Sequence, residues 1–235
     1  MVSISHAAAP TLVADLQSVF GRRLRSVVAY GAHLEGNTEA PLTCLALVDT
    51  LAMADLEACA GLSARWAREQ IATPLILPEE EFLKSLDAFP LEYGEIIRAH
   101  QDLFGADPFE RVTIAHEDLR RACETQVKSH LLHLRESFIE ARGVPRQVTE
   151  LVQTAAPAFA ALLRNVARLT GTEVQDRVEA TRHGARTAGI PDHVVSEVLA
   201  LERPAGVPSD ASRFFPEYLD AVERLAHAVD TWRAS

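Results

Sequence analysis

The stretch LRSVVAYGAHLEGNTEAPLTCLALVD, residues 24–49, sets two short apolar runs on either side of a polar loop. Residues 24–31 (LRSVVAYG) and 42–49 (LTCLALVD) have strand composition, and the second is nearly all apolar, as expected when both faces of a sheet are covered. The intervening AHLEGNTEAP carries Gly36-Asn37 and Pro41, residues that tolerate or preset turn angles, so it reads as an exposed loop. Upstream, Leu12, Val13, Leu16, Val19 and Phe20 share one helical face, which Gly21 ends. Downstream, Met53, Leu56, Ala60, Ala64 and Ala67 mark a helix. TPLIL, residues 73–77, is a third strand, placed by Pro74 at a sheet edge or strand start and ended by Pro78.

Glu79, Glu80 and Glu81 suit the positive end of a short helix that turns Phe82 and Leu86 inward. DAFPLEY, residues 87–93, reads as a further strand, and Gln101 to Phe104 as a short one before Gly105. The order helix, strand, strand, helix, strand, helix, strand describes a mixed sheet with helical cover.

Past about residue 115 the pattern changes to a helical one. Leu119, Cys123, Val127, Leu131, Leu134 and Phe138 recur at three- and four-residue intervals along one amphipathic helix, which Gly143-Val144-Pro145 breaks. Val148, Val152, Ala155, Phe159, Leu162, Val166 and Leu169 begin another, expected to bend or divide at Pro157 and to end at Gly171. Val174, Val178, Thr181, Ala185 and Ala188 support a weaker helix. Gly189-Ile190-Pro191-Asp192 is a turn with a cap for the next, which carries Val195, Val198 and Leu199. A Pro- and Gly-rich loop at 204–208 precedes a terminal helix with Phe215, Leu219, Val222, Ala226, Val229 and Trp232. The expected domains are an α/β domain at 1–115 and an all-helical bundle at 116–235, an α+β chain in total.

Composition narrows the function classes. The 235 residues are 48% hydrophobic and 24% charged, ordinary for a chain that folds by itself. A formal net charge of -10 repels a phosphate backbone, and Arg22, Arg23 and Arg25 read as a charged surface turn, so no nucleic-acid partner is expected. Cys44, Cys59 and Cys123 are odd in number and outside any Cys-x-x-Cys spacing, which suggests buried reduced thiols. With no membrane-length apolar run and no signal-peptide start, a cytoplasmic protein without a membrane partner is expected.

Tyr30-Gly31-Ala32, followed by a loop of about ten residues and an apolar strand, resembles the nucleotidyltransferase superfamily. In that family a strand ends in Gly-Ser or Gly-Gly and the next opens with Asp-x-Asp. The resemblance runs through residues 87–93 and Leu103 to Gly105 into helices similar to the bundle that often follows such domains, so it covers nearly the whole chain. It implies a nucleotidyltransferase-like mixed sheet with helices and then an all-α bundle, and a nucleotide site at Gly31 and Ala32.

The family's chemistry needs two carboxylates two residues apart on a strand, pointing to one side and holding divalent metals against a nucleoside triphosphate. Strand-to-strand alignment puts Leu42 and Cys44 in those places, and Mg²⁺ demands oxygen ligands. Ala32 stands where the family has a small hydroxyl or glycine. The resemblance therefore implies a degenerate active site with no metal ligands. Glu92, in the place of a third carboxylate, and Asp49 are the candidate catalytic residues of any rearranged site, with Glu35 or Glu39 as a loop carboxylate.

Among other constellations, His130 and His133 lie one turn apart with Glu136 a turn further, a spacing that can hold a transition metal but that reads first as a polar helix flank. Arg177 and His183 have a spacing similar to that of HEPN ribonucleases, without the accompanying polar residues. No Gly-x-Ser-x-Gly, Walker or dinucleotide fingerprint is present. Three readings stand open: a catalytically degenerate fold binding a nucleotide-like ligand or a protein partner; an active nucleotidyltransferase using Mg²⁺ and a nucleoside triphosphate at a rearranged carboxylate site; and a helical module that forms a homodimer.

Overall fold

A computed structural model describes residues 7–34, 37, 39–171, 176–202 and 211–232. Glu35 and Gly36 of the loop, Val174 and the stretch 204–208 lie outside them. The chain divides into two compact units, Met1–Ala115 and His116–Ser235.

The first unit opens with helix α1, Ala9–Phe20, whose Leu12, Leu16 and Phe20 are buried and whose end is capped by Gly21 at φ 55°. Strands β1, Leu24–Tyr30, and β2, Thr43–Val48, pair antiparallel. Helix α2, Met53–Arg68, crosses to strand β3, Leu75–Pro78, which pairs parallel with β2. Helices α3, Glu79–Lys84, and α4, Pro90–Arg98, precede strand β4, His100–Phe104, which pairs antiparallel with β1. The resulting mixed sheet has the order β3-β2-β1-β4, so β3 takes the edge position that Pro74 predicts and β4 forms the other edge.

Alternation along the strands divides the core in two. Val27 and Ala29 of β1 and Cys44, Ala46 and Val48 of β2 pack with Leu42 and the α1 residues Leu12 and Leu16 on one face. Val28, Leu45 and Leu47 pack with Phe82, Tyr93, Ile96 and Phe109 on the other. Each fully buried Leu or Phe contributes about 1.5–3 kcal/mol by leaving water, so these two layers hold the sheet.

One sequence expectation is corrected in this unit, and the helix expected at 53–67 is present. Residues 87–93 form no strand: Pro90 is the first residue of α4, where a missing N–H costs nothing, and Leu91, Tyr93 and Ile96 are its buried positions. The alternation of Phe89, Leu91 and Tyr93 was compatible with a strand, but Ile96 extends the pattern with helical spacing. In α2, the residues that mark the helix form its outer face, with Met53 67% exposed; the inner face carries Asp55, Cys59 and Trp66. Trp66 buries far more apolar area than any alanine, so it decides which side faces the core.

The second unit is helical. Helices α5, His116–Glu140, and α6, Pro145–Leu169, are long, and α7, Arg177–Thr187, α8, Asp192–Leu201, and α9, Phe215–Thr231, follow. Helix α6 buries Val148, Val152, Phe159, Leu163 and Val166 and is the central element. It runs undivided through Pro157, which is exposed, so water can satisfy the carbonyl of Gln153 that the missing N–H leaves. Helices α6 and α7 meet closely: a Cβ at Gly184 would lie 1.9 Å from the Leu163 carbonyl oxygen. Asp192 opens α8 as its first residue, Pro191 occupies the cap, and the Asp192 carboxylate pairs with Arg182. No described helix is long and apolar enough to cross a membrane.

Candidate functional site

Gly31 and Ala32, the residues to which the family resemblance points, lie where β1 ends. Gly31 follows Tyr30 with φ 84°, a left-handed conformation that disfavours a side chain even though a Cβ there would meet nothing within 4 Å. Its carbonyl accepts the Leu34 N–H at 3.0 Å, and the exposed Ala32 carbonyl accepts the Asn37 N–H at 3.1 Å, so the chain turns sharply away from the sheet.

Pairing register then fixes what stands beside this turn. Tyr30 is opposite Thr43 on β2 and His100 on β4, and Val28 is opposite Leu45 and Asp102. Since side chains alternate along a strand, Thr43, Leu45, His100 and Asp102 share the face of Val28 and Tyr30. Leu42 and Cys44 belong to the other face, inside the layer under α1, at 1% and 0% exposure. Burial pushes the Cys44 thiol up to about 12, so it stays protonated. Leu45 is also fully buried. Whichever face is considered, the two positions spaced by two residues on β2 hold no carboxylate.

The candidate carboxylates do not gather at this point. Asp49 lies past the other end of β2, its N–H donating to the Arg23 carbonyl at 2.8 Å, and its carboxylate pairs with Arg25. The length of β1 separates it from Gly31, about 20 Å at 3.3 Å per residue. Glu92 is an exposed residue in the first turn of α4 and not a strand residue. Glu39 is exposed in its loop. Asp55, at the same end of the sheet as Asp49, is also committed: Arg23 donates to both its oxygens at 2.7 Å and the Ala52 N–H to one at 2.9 Å, which holds its carboxyl down to about 2.

The paired histidines of α5 separate as well. His130 turns inward, its Nε2 3.0 Å from the Tyr218 hydroxyl and its ring over Phe159, and burial lowers its pKa. His133 is exposed and meets Glu136 at 3.2 Å. On α7, the His183 Nε2 lies 3.4 Å from the Thr170 hydroxyl.

One group escaped the sequence reading. His100, Asp102 and Asp107 each bring a ligand atom within 4.8 Å of the others, the one such cluster among the described residues. The His-x-Asp spacing on a short strand was visible in the sequence, since two residues so spaced share a face. The return of Asp107 to the same place depends on the turn after Gly105, where a Cβ would lie 2.2 Å from the Arg25 carbonyl oxygen.

No protein-family model matches the sequence, and no curated relative does. Among solved structures the chain is similar to the spectinomycin adenyltransferase AAD(9) from Enterococcus faecialis, determined with ATP and spectinomycin. Identity is 12% and the TM-score 0.56, with 97% of this chain and 100% of that chain covered. At this identity the likeness carries the fold, and the chain has the α+β nucleotidyltransferase fold, a mixed sheet with helices followed by a helical region.

Proposed function

We propose that this chain is a catalytically degenerate nucleotidyltransferase-fold protein that binds a nucleotide-like ligand beside Gly31 without transferring a nucleotidyl group. The observation that supports this most is the start of β2, where Leu42, just before the strand, and Cys44 face one core layer and Leu45 the other. A leucine and a buried thiol offer no oxygen ligand to hold Mg²⁺ against a triphosphate. The rearranged-enzyme reading would need Asp49 and Glu92 in one cleft, and Asp49 is tied to Arg25 at the far end of the sheet from Gly31. Binding of a nucleotide in place of a protein partner is favoured by the fold shared with an adenyltransferase solved with ATP. A cytoplasmic setting, with Cys44, Cys59 and Cys123 as reduced thiols, belongs to this reading.

Calorimetry of the full chain with ATP, run in EDTA and again with Mg²⁺, tests it. Binding that is the same in both, with no adenylylated product by mass spectrometry, is the expected result. Mg²⁺-dependent transfer, or no binding in either condition, would overturn it. A second reading, association through the helical unit, draws on Leu132, Phe138 and Ile139, which α5 leaves 58%, 38% and 74% exposed. Light scattering that finds a dimer would support it, and a strict monomer would remove it.

A further inference from the structure

His100 and Asp102 project from β4 on one sheet face, and the chain turns back after Gly105 to set Asp107 beside them. The His100 Nε2 stands 3.8 Å from an Asp102 oxygen and 3.4 Å from an Asp107 oxygen. Charge-assisted N–H···O bonds close to about 2.7–2.9 Å, so neither contact is a good one. Neighbouring ligand atoms on a tetrahedral ion with bonds of about 2.0–2.2 Å lie about 3.3–3.6 Å apart, which is close to these separations.

The imidazole is held independently of the carboxylates. Its Nδ1 lies 3.0 Å from the Ile97 carbonyl oxygen, and because a carbonyl only accepts, Nδ1 carries the proton and donates. The ring meets Phe109 edge-on, with centroids 4.8 Å apart and planes at 90°. With Nδ1–H committed to the Ile97 carbonyl, Nε2 is the ring atom left to face the two carboxylates. An Nδ1–H donated to a backbone carbonyl is also the contact that orients metal-bound imidazoles and raises their basicity. Asp107 is fixed in a similar way, its Oδ1 accepting the Phe109 N–H at 2.7 Å.

We propose that His100, Asp102 and Asp107 bind one divalent transition-metal ion, zinc in type, through Nε2 and two carboxylates, with its remaining positions open to water or an anionic ligand. An imidazole nitrogen among the donors favours zinc over Mg²⁺ and Ca²⁺, which take oxygen ligands. Two carboxylates neutralise the ion. The side chains are 15%, 44% and 42% exposed in that order, so an ion can enter without local unfolding. This site does not depend on the degeneracy of β2 or on nucleotide binding.

Titration of the chelator-stripped full chain with ZnCl₂, followed by calorimetry, tests the site alongside Asp102→Asn and His100→Gln, with circular dichroism as the check of folding. One ion per chain is expected, with no saturable heat from MgCl₂ and an affinity about tenfold or more lower in each variant. Asp102 is solvent-facing, so Asp102→Asn serves if His100→Gln fails to fold. Absorption of the Co²⁺-loaded chain should lack a thiolate charge-transfer band, since Cys44, Cys59 and Cys123 are buried. The proposal is overturned if zinc binds with no single-site saturation, or if Asp102→Asn leaves the affinity unchanged; the three groups would then be charges guarding an edge strand. Because the ATP titration is run in EDTA, neither outcome bears on nucleotide binding.

Discussion

Strands β2 and β4 flank β1 on opposite sides in matching register, and they differ in what they offer to the same sheet face. Level with Tyr30 and Val28, β2 places Thr43 and Leu45, while β4 places His100 and Asp102. The difference follows sheet position. β2 lies between β3 and β1 with core layers on both faces, where an ionised side chain would lose its hydration with no partner. β4 is an edge strand, and there a polar side chain keeps water within reach while its backbone stays half-paired. A sheet without a carboxylate on β2 can still carry ionisable groups at its margin.

That contrast can be broken by moving a carboxylate inward. Leu45→Asp loses the packing of a fully buried leucine and buries an unpaired charge, so a loss of about 5 kcal/mol or more is expected, enough to unfold the first unit in a urea titration. A retained cooperative transition at the wild-type midpoint would show that β2 tolerates an ionised side chain at its centre. Next in size is Phe109→Ala, which removes the ring that supports His100 and packs on Phe82, at a cost of about 3 kcal/mol by the same titration. Gly31→Ala places a side chain in a left-handed turn with room around it, so strain alone sets its cost, about 1 kcal/mol.

Acid sharpens the comparison at the far end of β2, where the carboxylates already belong to arginines. The Asp55 carboxyl is held below its unfolded value by Arg23 and the Ala52 N–H, so its contribution is full above about pH 4 and is lost as pH falls toward about 2. Thermal melts of Asp55→Asn should fall below wild type at neutral pH and converge with it near pH 2; a constant gap would mean that the pair does not titrate with folding. Smallest is Asp102→Asn on β4, expected within about 0.5 kcal/mol of wild type in the absence of metal. A large loss there would give the edge charge a structural role and narrow the contrast with β2.

Much of this fold was legible from local pattern. The strands at 24–31 and 42–49 and the helices of the second unit declare themselves by composition and period, because burial against a layer selects side chains at fixed intervals. The segment 87–93 was misread because Phe89, Leu91 and Tyr93 fit period two over a short window, while the Ile96 that completes the helical face lies beyond it. The inward face of α2 was hidden by its alanines, which suit either side of a helix.

For the site, what could be read along the chain was an absence: no Asp-x-Asp opens the strand after Gly31, and no alignment of that strand supplies one. Tertiary structure decided which residues stand in its place. Whether a strand residue faces one core layer or the other turns on a register of one, and pairing with β1 sets that register. The convergence of Asp107 with His100 and Asp102 depends on a turn at Gly105 packed against the β1 backbone, a contact between residues 80 apart in the chain that no local pattern encodes.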